Sequence, residues 1–369
     1  MKKAIQFGAG NIGRGFLGQL FSQSNFETVF VEVREDLISL INKKGYYKLK
    51  ILSAKPYEII IKNIRAVNAK NQEEVNDEIK TADIMSTSVK SENLASVASL
   101  ICSGMMERAK SKIDEPINLL LCENLPKASE VFRNYLSQRC PSPYKEYVNS
   151  HLGLVETIIS RMVPPVPDSI STEDPLFVMA EEYNTLFVDK NAFIGEVPDI
   201  KGLAAVDNFA AYEQQKLYTY NTGHAVCAYV GYQEGHRYIW EAIRDKKVKQ
   251  IVRGAMMETG EALIRKYHFK REEQEKFIDG FLLRLDNPAL GDTIARVGRD
   301  PIRKLSPNER LIGAAKFAEK YGVEPVNLCR GIAAALKFVI EGDKESEKLA
   351  RYLQDKGIDW VLKEVCHID

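Results

Sequence analysis

The 369-residue sequence contains no apolar run that approaches the roughly 18 to 20 residues a membrane-spanning helix needs. The opening residues, Met-Lys-Lys-Ala-Ile-Gln-Phe, form no signal-peptide core and lead directly into a glycine-rich motif. We therefore expect no membrane association and a cytoplasmic location.

An excess of charge of either sign is also missing. Lys plus Arg and Asp plus Glu both number 51, so the formal net charge is +0. A neutral chain has no global field that attracts nucleic acid or an anionic membrane, so any anionic ligand must be held by a local basic cluster. We expect no nucleic-acid partner.

The cysteines lack the CxxC spacing of zinc and redox motifs. The neighbours Cys366 and His367 are a poor metal signal, because adjacency alone does not build a site. We expect reduced, mostly buried thiols, no disulfide framework and no metal site. The six positions are Cys102, Cys122, Cys140, Cys227, Cys329 and Cys366.

A Pro/Ser/Gly-rich linker is absent as well, although the length exceeds what one hydrophobic core usually organises. The first part alternates strand and helix patterns, whereas from residue 208 onward nearly every segment has helical periodicity. We predict an α/β fold, with an N-terminal Rossmann-type dinucleotide-binding domain over 1–195 and a mainly α-helical substrate and catalytic domain over 196–369.

Local patterns add detail to this division. Residues 46–67 contain β-rich runs that predict a small antiparallel excursion, and residues 155–161 are predicted to be helical. In the second half, 236–267 and 344–363 are each predicted as one helix.

The glycine-rich motif is Gly8-Ala9-Gly10-Asn11-Ile12-Gly13, preceded by a short apolar run and followed by apolar residues at helical spacing. This order predicts strand, tight turn and helix, the setting in which GxGxxG binds a dinucleotide. The glycines permit the turn, the approach of pyrophosphate and the packing of helix on strand, and the helix N-terminus attracts phosphate. We expect all six residues to bind the cofactor.

Glu32 lies at the end of the next apolar run, 19 residues after Gly13. Dinucleotide folds place a carboxylate about 20 residues on to bind the ribose hydroxyls. Glu32 would repel the extra phosphate of NADP, although Arg34 is of the type that could accept it. NAD is the expected cofactor.

Asn124 follows another apolar run, 117–121, where a parallel strand would end at the ligand crevice. One interpretation places Asn124 near the nicotinamide. The other is that Glu123-Asn124 begins a turn before Pro126 and caps the next helix.

Lys216, Asn221 and His224 supply an amine, an amide and an imidazole within nine residues. Alcohol oxidation without a metal needs a group that accepts the hydroxyl proton and donors that stabilise the developing charge. On a continuous α-helix the three would share one broad face. Burial or a nearby positive charge would have to lower the lysine pKa from about 10.4 towards 7 or 8. The alternative is a solvated lysine and a core histidine.

Four cations, Arg296, Arg299, Arg303 and Lys304, lie within nine residues of an otherwise neutral chain. Such a cluster suits a phosphate. The alternative is a solvated loop whose charges pair with Asp292 and Asp300.

These motifs resemble the polyol-specific long-chain dehydrogenase/reductase family over nearly the full length, and in particular its mannitol-1-phosphate 5-dehydrogenase branch. The likeness is carried by FGAGNIGRGF at 7–16, ENLPKASE at 123–130, EEYNTLFVDK at 181–190, KLYTYNTGHA at 216–225 and RVGRDPIRKL at 296–305. The K-x4-N-x2-H pattern together with the glycine motif is specific. The resemblance therefore favours a catalytic role for Lys216, Asn221 and His224 over the alternative of a solvated lysine and a core histidine.

The resemblance implies metal-independent, NAD-dependent interconversion of D-mannitol 1-phosphate and D-fructose 6-phosphate. Lys216 would be the general base, Asn221 the donor to the reacting oxygen and His224 the residue that orients the substrate hydroxyl. Arg296 and Lys304 would hold the substrate, with Arg299 and Arg303 as further cations for a phosphate. The alternatives are another polyol or uronate dehydrogenase, or a non-catalytic NAD-binding sensor.

Two positions depart from relatives in the family. Glu156 stands where mannitol 2-dehydrogenases have an asparagine that donates to the oxyanion, and a carboxylate cannot donate unless it is protonated. Leu186 stands where tryptophan is common. The expected partner is a small sugar phosphate, and we expect a monomer, with a dimer through the helical half as the alternative.

Overall fold

The computed structural model describes residues 1–368 and forms two compact units, Met1–Phe209 and a second unit that begins at Ala210. None of the helices in this described part is long and apolar enough to cross a membrane.

The first unit is built on an eight-stranded sheet in the order β11-β10-β8-β7-β6-β1-β2-β5, and on a three-stranded sheet in the order β4-β3-β9. The strands are β1 Lys2–Phe7, β2 Phe26–Glu32, β3 Tyr46–Leu52, β4 Tyr57–Lys62, β5 Ile64–Asn68, β6 Ile84–Thr87, β7 Ile117–Leu121, β8 Leu152–Ile159, β9 Val178–Glu181, β10 Leu186–Asp189 and β11 Leu203–Val206. The six neighbouring strands β5, β2, β1, β6, β7 and β8 are all parallel. β10 runs antiparallel to β8.

Helices cover both faces of the large sheet. Along β1, Ile5 and Phe7 belong to one buried cluster and Ala4 to another, because successive strand residues point to opposite faces. A parallel sheet buried on both sides is the doubly wound arrangement of a Rossmann-type domain, as predicted. The helices are α1 Gly18–Gln23, α2 Glu35–Lys44, α3 Gln72–Lys80, α4 Leu94–Lys110, α5 Ala128–Arg139, α6 Ser142–His151 and α7 Asp168–Glu173, with a π-helical turn at Gly13–Leu17 and 3-10 turns at Ser91–Asn93 and Lys190–Ala192.

The predicted helix over 155–161 is wrong, since these residues belong to β8 and the segment that follows it. β8 pairs with β7 on one side and with β10 on the other. Val155 and Ile158 are buried on opposite faces of the strand. A strand buried on both faces has no alternating pattern, so periodicity cannot separate it from a buried helix.

The predicted antiparallel excursion is confirmed, because β3 and β4 pair antiparallel. The first unit also continues past the predicted boundary at residue 195, since β11 pairs with β10. The two compact units divide between Phe209 and Ala210.

The prediction of six reduced thiols is wrong for one pair. Cys102 on α4 and Cys140 directly after α5 form a disulfide, with their Cα atoms 5.7 Å apart. Packing of α4 against α5 brings together residues 38 positions apart. Spacing rules for neighbouring cysteines cannot detect such a pair.

The second unit is made of helices packed around α9, whose residues Ala225–Gly231 are all buried. The helices are α8 Phe209–Gln215, α9 Thr222–Gln233, α10 Ile239–Arg244, α11 Lys246–Tyr267, α12 Arg271–Leu285, α13 Ile294–Gly298, α14 Pro301–Lys304, α15 Ile312–Lys320, α16 Val326–Leu336, α17 Lys344–Lys356 and α18 Ile358–Glu364, with a π-helical turn at Lys216–Asn221 and a 3-10 turn at Pro288–Leu290. This confirms the predicted mainly helical second half.

Two predicted long helices are each divided in two. Asp245 separates α10 from α11, and its side chain caps α11 by accepting from the Lys247 and Val248 N–H groups. Gly357, with φ +84°, separates α17 from α18. The spacing of apolar residues continues across both breaks, so periodicity alone predicted one helix in each case. A cap changes the direction of the chain without changing which residues are apolar.

Candidate active site

The loop from Gly8 to Gly13 joins β1 to the first helix. Gly8 has φ +91°, a conformation that L side chains rarely adopt. A Cβ added at Gly13 would lie 2.2 Å from the Gly8 carbonyl oxygen, whereas one added at Gly10 would have no heavy atom within 4 Å. The first and third glycines are therefore required by the fold itself, and Gly10 leaves open space where a phosphate can approach the backbone.

The carbonyl groups of this loop are held by buried polar side chains. Gln6 Nε2 donates to the Gly8 carbonyl at 3.1 Å and to Ser88 Oγ at 2.8 Å. Arg14 Nε donates to the Ala9 carbonyl at 2.7 Å. Since the first N–H groups of a helix have no partner within it, this end of the first helix can accept an anion.

Glu32 lies at the C-terminal end of β2, next to the glycine loop. Its Oε2 accepts from the Ala9 N–H at 3.0 Å, and its Oε1 accepts from the Val33 and Arg34 N–H groups at 2.7 and 3.2 Å. The Arg34 side chain forms an exposed ion pair with Asp36 at 2.6 Å. The arginine that could have accepted an NADP phosphate therefore already has a carboxylate partner.

Glu123 and Asn124 follow the C-terminal end of β7 in the large sheet. Glu123, after β7, accepts from Thr87 Oγ1 at 2.7 Å and from the Val89 N–H at 3.1 Å, and burial raises its pKa to about 7. Asn124 is exposed beside it, and the N-cap of α5 is Lys127 rather than Asn124. Asn124 is therefore not the N-cap of α5, and its contact with the nicotinamide stays a prediction.

Glu156 on β8 has a structural partner at the start of α5. Its Oε1 accepts from the Ser129 N–H at 2.9 Å and from Ser129 Oγ at 2.7 Å. A carboxylate stabilises the positive end of a helix and satisfies an N–H group that has no intrahelical partner. The contact with Ser129 gives the Glu156 carboxylate a structural role as an acceptor, at the position where an asparagine was expected to donate a hydrogen bond.

In the second unit, Lys216 and Asn221 are the two ends of the π-helical turn Lys216–Asn221, and His224 lies on α9 directly after it. A π-helical turn has a wider winding than an α-helix, so the continuous-helix geometry expected for these three residues does not apply. Such turns inside α-helices occur frequently at functional sites. The Asn221 amide makes no hydrogen bond within residues 1–368, which leaves both its donor and its acceptor available.

Lys216 is mostly buried, and its pKa is lowered to about 8. Burial is the largest cause, the positive charge of Arg310 is the next, and Glu213 opposes both. A minor fraction of this amine is therefore neutral at pH 7, far more than for an ordinary lysine, and a general base requires such a neutral form.

His224 and Asp292 form a buried pair. His224 Nε2 lies 3.1 Å from Asp292 Oδ2, and the other oxygen of Asp292 pairs with Arg296. Burial, followed by the charges of Arg296, Lys304, Arg310 and Arg284, lowers the pKa of His224 to about 3. The ring is neutral, so Nε2 carries the proton that Asp292 accepts, and Nδ1 is an acceptor with no partner in the described chain.

The four predicted cations have different surroundings. Arg296 pairs with Asp292, and Arg303 pairs with both Asp300 and Glu309. The alternative of charges paired to Asp292 and Asp300 is therefore confirmed for these two. The Lys304 ammonium is buried and donates to the Val297 and Arg299 carbonyls. Exposed Arg299 makes no ion pair within the part of the chain that the structure describes.

Arg310 was not predicted from the sequence. Its side chain is 15% exposed, and its Nε donates to Glu309 Oε2 at 3.0 Å. Its charge lowers the pKa values of Lys216, His224 and Lys304, so it lies among the candidate catalytic residues. No motif in the sequence marked it, because it lies six residues beyond Lys304 in a separate turn.

No group of three or more His, Cys, Asp or Glu side chains among residues 1–368 is arranged to hold a metal ion.

Family comparisons agree with these two units. The mannitol dehydrogenase Rossmann domain matches residues 2–202, and the mannitol dehydrogenase C-terminal domain matches residues 208–367. The chain belongs to the mannitol dehydrogenase family. It is therefore an oxidoreductase of the polyol dehydrogenase type, and membership confirms the family that the sequence motifs indicated.

Solved structures of several other enzymes show a similar fold. A D-sorbitol dehydrogenase in substrate-free form is similar with a TM-score of 0.78 and 15% identity, over 90% of this chain and 79% of that one. The Pseudomonas fluorescens mannitol 2-dehydrogenase, in a ternary complex with NAD and D-mannitol, is similar with a TM-score of 0.74 and 16% identity, over 99% of this chain and 87% of that one. A Geobacter metallireducens 2-dehydropantoate 2-reductase has a TM-score of 0.51 and 13% identity, over 90% of this chain and 98% of that one.

Proposed function

We propose that this mannitol dehydrogenase family member interconverts D-mannitol 1-phosphate and D-fructose 6-phosphate by reversible, metal-independent hydride transfer with NAD(H). The observation that carries the proposal is Lys216, a mostly buried amine with a pKa of about 8, on the segment that also bears Asn221 and His224. A lysine with a lowered pKa beside an amide and a neutral imidazole suits proton transfer to and from an alcohol.

The first unit holds the cofactor. The open space at Gly10 and the N–H groups at the start of the first helix fit a pyrophosphate, and the Glu32 carboxylate fits the ribose hydroxyls. Asn124 is proposed to contact the nicotinamide end. NAD(H), when bound, accepts or supplies the hydride.

The second unit handles the proton and the substrate oxygen. In alcohol oxidation the neutral Lys216 amine accepts the hydroxyl proton, while the Asn221 amide donates to the oxygen as its negative charge develops. His224 Nδ1 accepts a hydrogen bond from a substrate hydroxyl and so fixes its orientation. In ketone reduction the Lys216 ammonium returns the proton.

The sugar-phosphate substrate is supported by the cations beside these groups, among which Arg299 and Arg310 retain donors without a protein partner in the described chain. The sequence motif RVGRDPIRKL, typical of the mannitol-1-phosphate branch, supports the same assignment. Both points favour a phosphorylated ketose over a neutral one.

A polyol without a phosphate is the second candidate. It is favoured because Arg303 pairs with two carboxylates and because Lys304 donates two of its three N–H groups to backbone carbonyls, which leaves both cations fewer donors for a phosphate. The solved relatives named for sorbitol and mannitol are compatible with it.

The deciding experiment measures NADH oxidation with fructose 6-phosphate and with fructose, before and after dialysis against EDTA, in the wild type and in Lys216→Ala. Turnover that prefers the phosphorylated sugar, survives EDTA and is lost in the variant supports the proposal. Equal use of fructose moves the assignment to a polyol dehydrogenase. NADH binding without turnover of either sugar would contradict both sugar assignments and leave a uronate substrate or an NAD sensor.

A further inference from the structure

The cations of the second unit differ in how many of their donors the protein already uses. Arg303 contacts two carboxylates, Asp300 and Glu309, and shares Glu309 with Arg310. The Lys304 ammonium donates to two backbone carbonyls, which orients it towards the turn after α13. Arg303 therefore presents no uncompensated positive charge to an anion, and two of the three N–H donors of Lys304 are already used.

Arg310 differs from both of them. Its Nε is bound to Glu309, but Nη1 and Nη2 make no hydrogen bond within residues 1–368, although the side chain is only 15% exposed. Neither terminal nitrogen is a buried atom without a partner, so both reach the surface, where a ligand can contact them. The two terminal nitrogens of a guanidinium form a fork that matches two oxygens of a phosphate.

The position of Arg310 is fixed relative to the candidate catalytic residues. Its carbonyl accepts a 2.6 Å hydrogen bond from Thr222 Oγ1, and Thr222 directly follows Asn221. Its charge is the largest influence after burial on the pKa of Lys216. The guanidinium therefore lies in the neighbourhood of the amine that is proposed to act on the substrate.

Glu309 fixes the orientation of this guanidinium. Its Oε2 accepts from Arg310 Nε at 3.0 Å, while its Oε1 accepts from Arg303 Nη1 at 2.8 Å. One carboxylate thus joins the two arginines, and holding Nε turns the remaining fork away from Glu309. Arg303 serves in this arrangement to hold the carboxylate.

We propose that the Nη1/Nη2 fork of Arg310 binds the phosphate group of the substrate, and that Glu309 is the residue that positions it. The proposal rests on the proposed function, because it requires a phosphorylated substrate. It makes Arg310, instead of Arg303 or Lys304, the residue that determines specificity for the phosphate.

The test compares kcat/KM for fructose 6-phosphate and for fructose in the reducing direction at pH 7, where Lys216 is mainly protonated with or without the Arg310 charge. Arg310→Met should lower the value for fructose 6-phosphate by about 10²- to 10³-fold, through loss of a charged two-point contact, and change the value for fructose by less than about 3-fold. Arg310→Lys should recover only part of the loss, because an ammonium keeps the charge without the fork. Arg330→Met, on an exposed arginine of α16, is the matched control and should change neither value.

Glu309→Gln tests the positioning role. It should raise the KM for fructose 6-phosphate while kcat stays within about 3-fold, because a neutral amide holds the guanidinium less firmly. An equal fall for both sugars in Arg310→Met, or an unchanged preference for the phosphorylated sugar, overturns the role of Arg310. A wild type without preference for fructose 6-phosphate overturns the proposed function itself, and it does so before any variant is measured.

Discussion

Asp292 determines which nitrogen of His224 carries the proton. Its Oδ2 lies 3.1 Å from Nε2, and its other oxygen is occupied by Arg296. Because a carboxylate only accepts, the neutral imidazole must donate through Nε2, which leaves Nδ1 as an acceptor. Asp292 therefore sets the tautomer and the orientation of the His224 ring, and it need not touch the substrate to do so.

Asp292→Asn should reverse this tautomer. Arg296 can only donate, so the amide oxygen should face it and the amide NH2 should face His224 Nε2. The ring proton then moves to Nδ1, which can no longer accept from a substrate hydroxyl. We expect kcat/KM to fall by about 10- to 100-fold, the value of one lost hydrogen bond in a charged setting. Steady-state kinetics measure the loss, and Asp286→Asn, which breaks an exposed pair with Arg244, should leave activity unchanged.

The pH dependence of alcohol oxidation should report Lys216. Its pKa is lowered to about 8, and the neutral amine is the base, so kcat/KM for oxidation should rise with pH through a midpoint of about 8 and level off at higher pH. The kcat/KM for ketone reduction should fall over the same pH range, because reduction uses the protonated Lys216. Arg310→Met removes a positive charge and should move the midpoint to higher pH, whereas Arg330→Met should not. A midpoint that stays fixed in Arg310→Met would show that this charge does not act on the base.

Gly13→Ala should disrupt the nucleotide loop. The added Cβ would lie 2.2 Å from the Gly8 carbonyl oxygen, which is backbone and cannot rotate away. We expect a loss of about 1–3 kcal/mol in the free energy of unfolding from overpacking, together with loss of NADH binding. Urea denaturation and fluorescence titration measure the two effects.

The matched control is Gly280→Ala, in the interior of α12, where an added Cβ meets no heavy atom within 4 Å. It should stabilise the protein by about 0.5–1 kcal/mol, because alanine favours a helix over glycine. Equal destabilisation by both substitutions would contradict the packing role assigned to Gly13.

Glu32→Ala should weaken binding of NAD and reduce its preference over NADP. The carboxylate is proposed to bind the ribose and also accepts from the Ala9 N–H, so its removal affects both ligand and loop. Loss of charged hydrogen bonds should raise the Kd for NAD by about 10- to 100-fold. Titration with both cofactors measures the change. Glu35→Ala, on the exposed first turn of α2, should leave both affinities within about 2-fold, since N-terminal helix charges contribute little.

The nucleotide loop could be predicted because its determinants are neighbours in the chain. Gly8 and Gly13 act on each other across six residues, and Glu32 follows at the distance that one helix and one strand impose. β8 could not be predicted, because only its pairing with β7 and β10 distinguishes a strand buried on both faces from a buried helix.

The sequence by itself determined the alternating first half and the helical second half, the glycine turn, the spacing of Lys216, Asn221 and His224, and the concentration of cations near residue 300. Each of these depends on neighbouring residues. Only the tertiary structure decided which charges neutralise one another: Asp292 takes Arg296 and orients His224, while Glu309 joins Arg303 to Arg310. The physical reason is that electrostatic and hydrogen-bond energies depend on distance in space and on burial. Neither quantity can be obtained from separation along the chain.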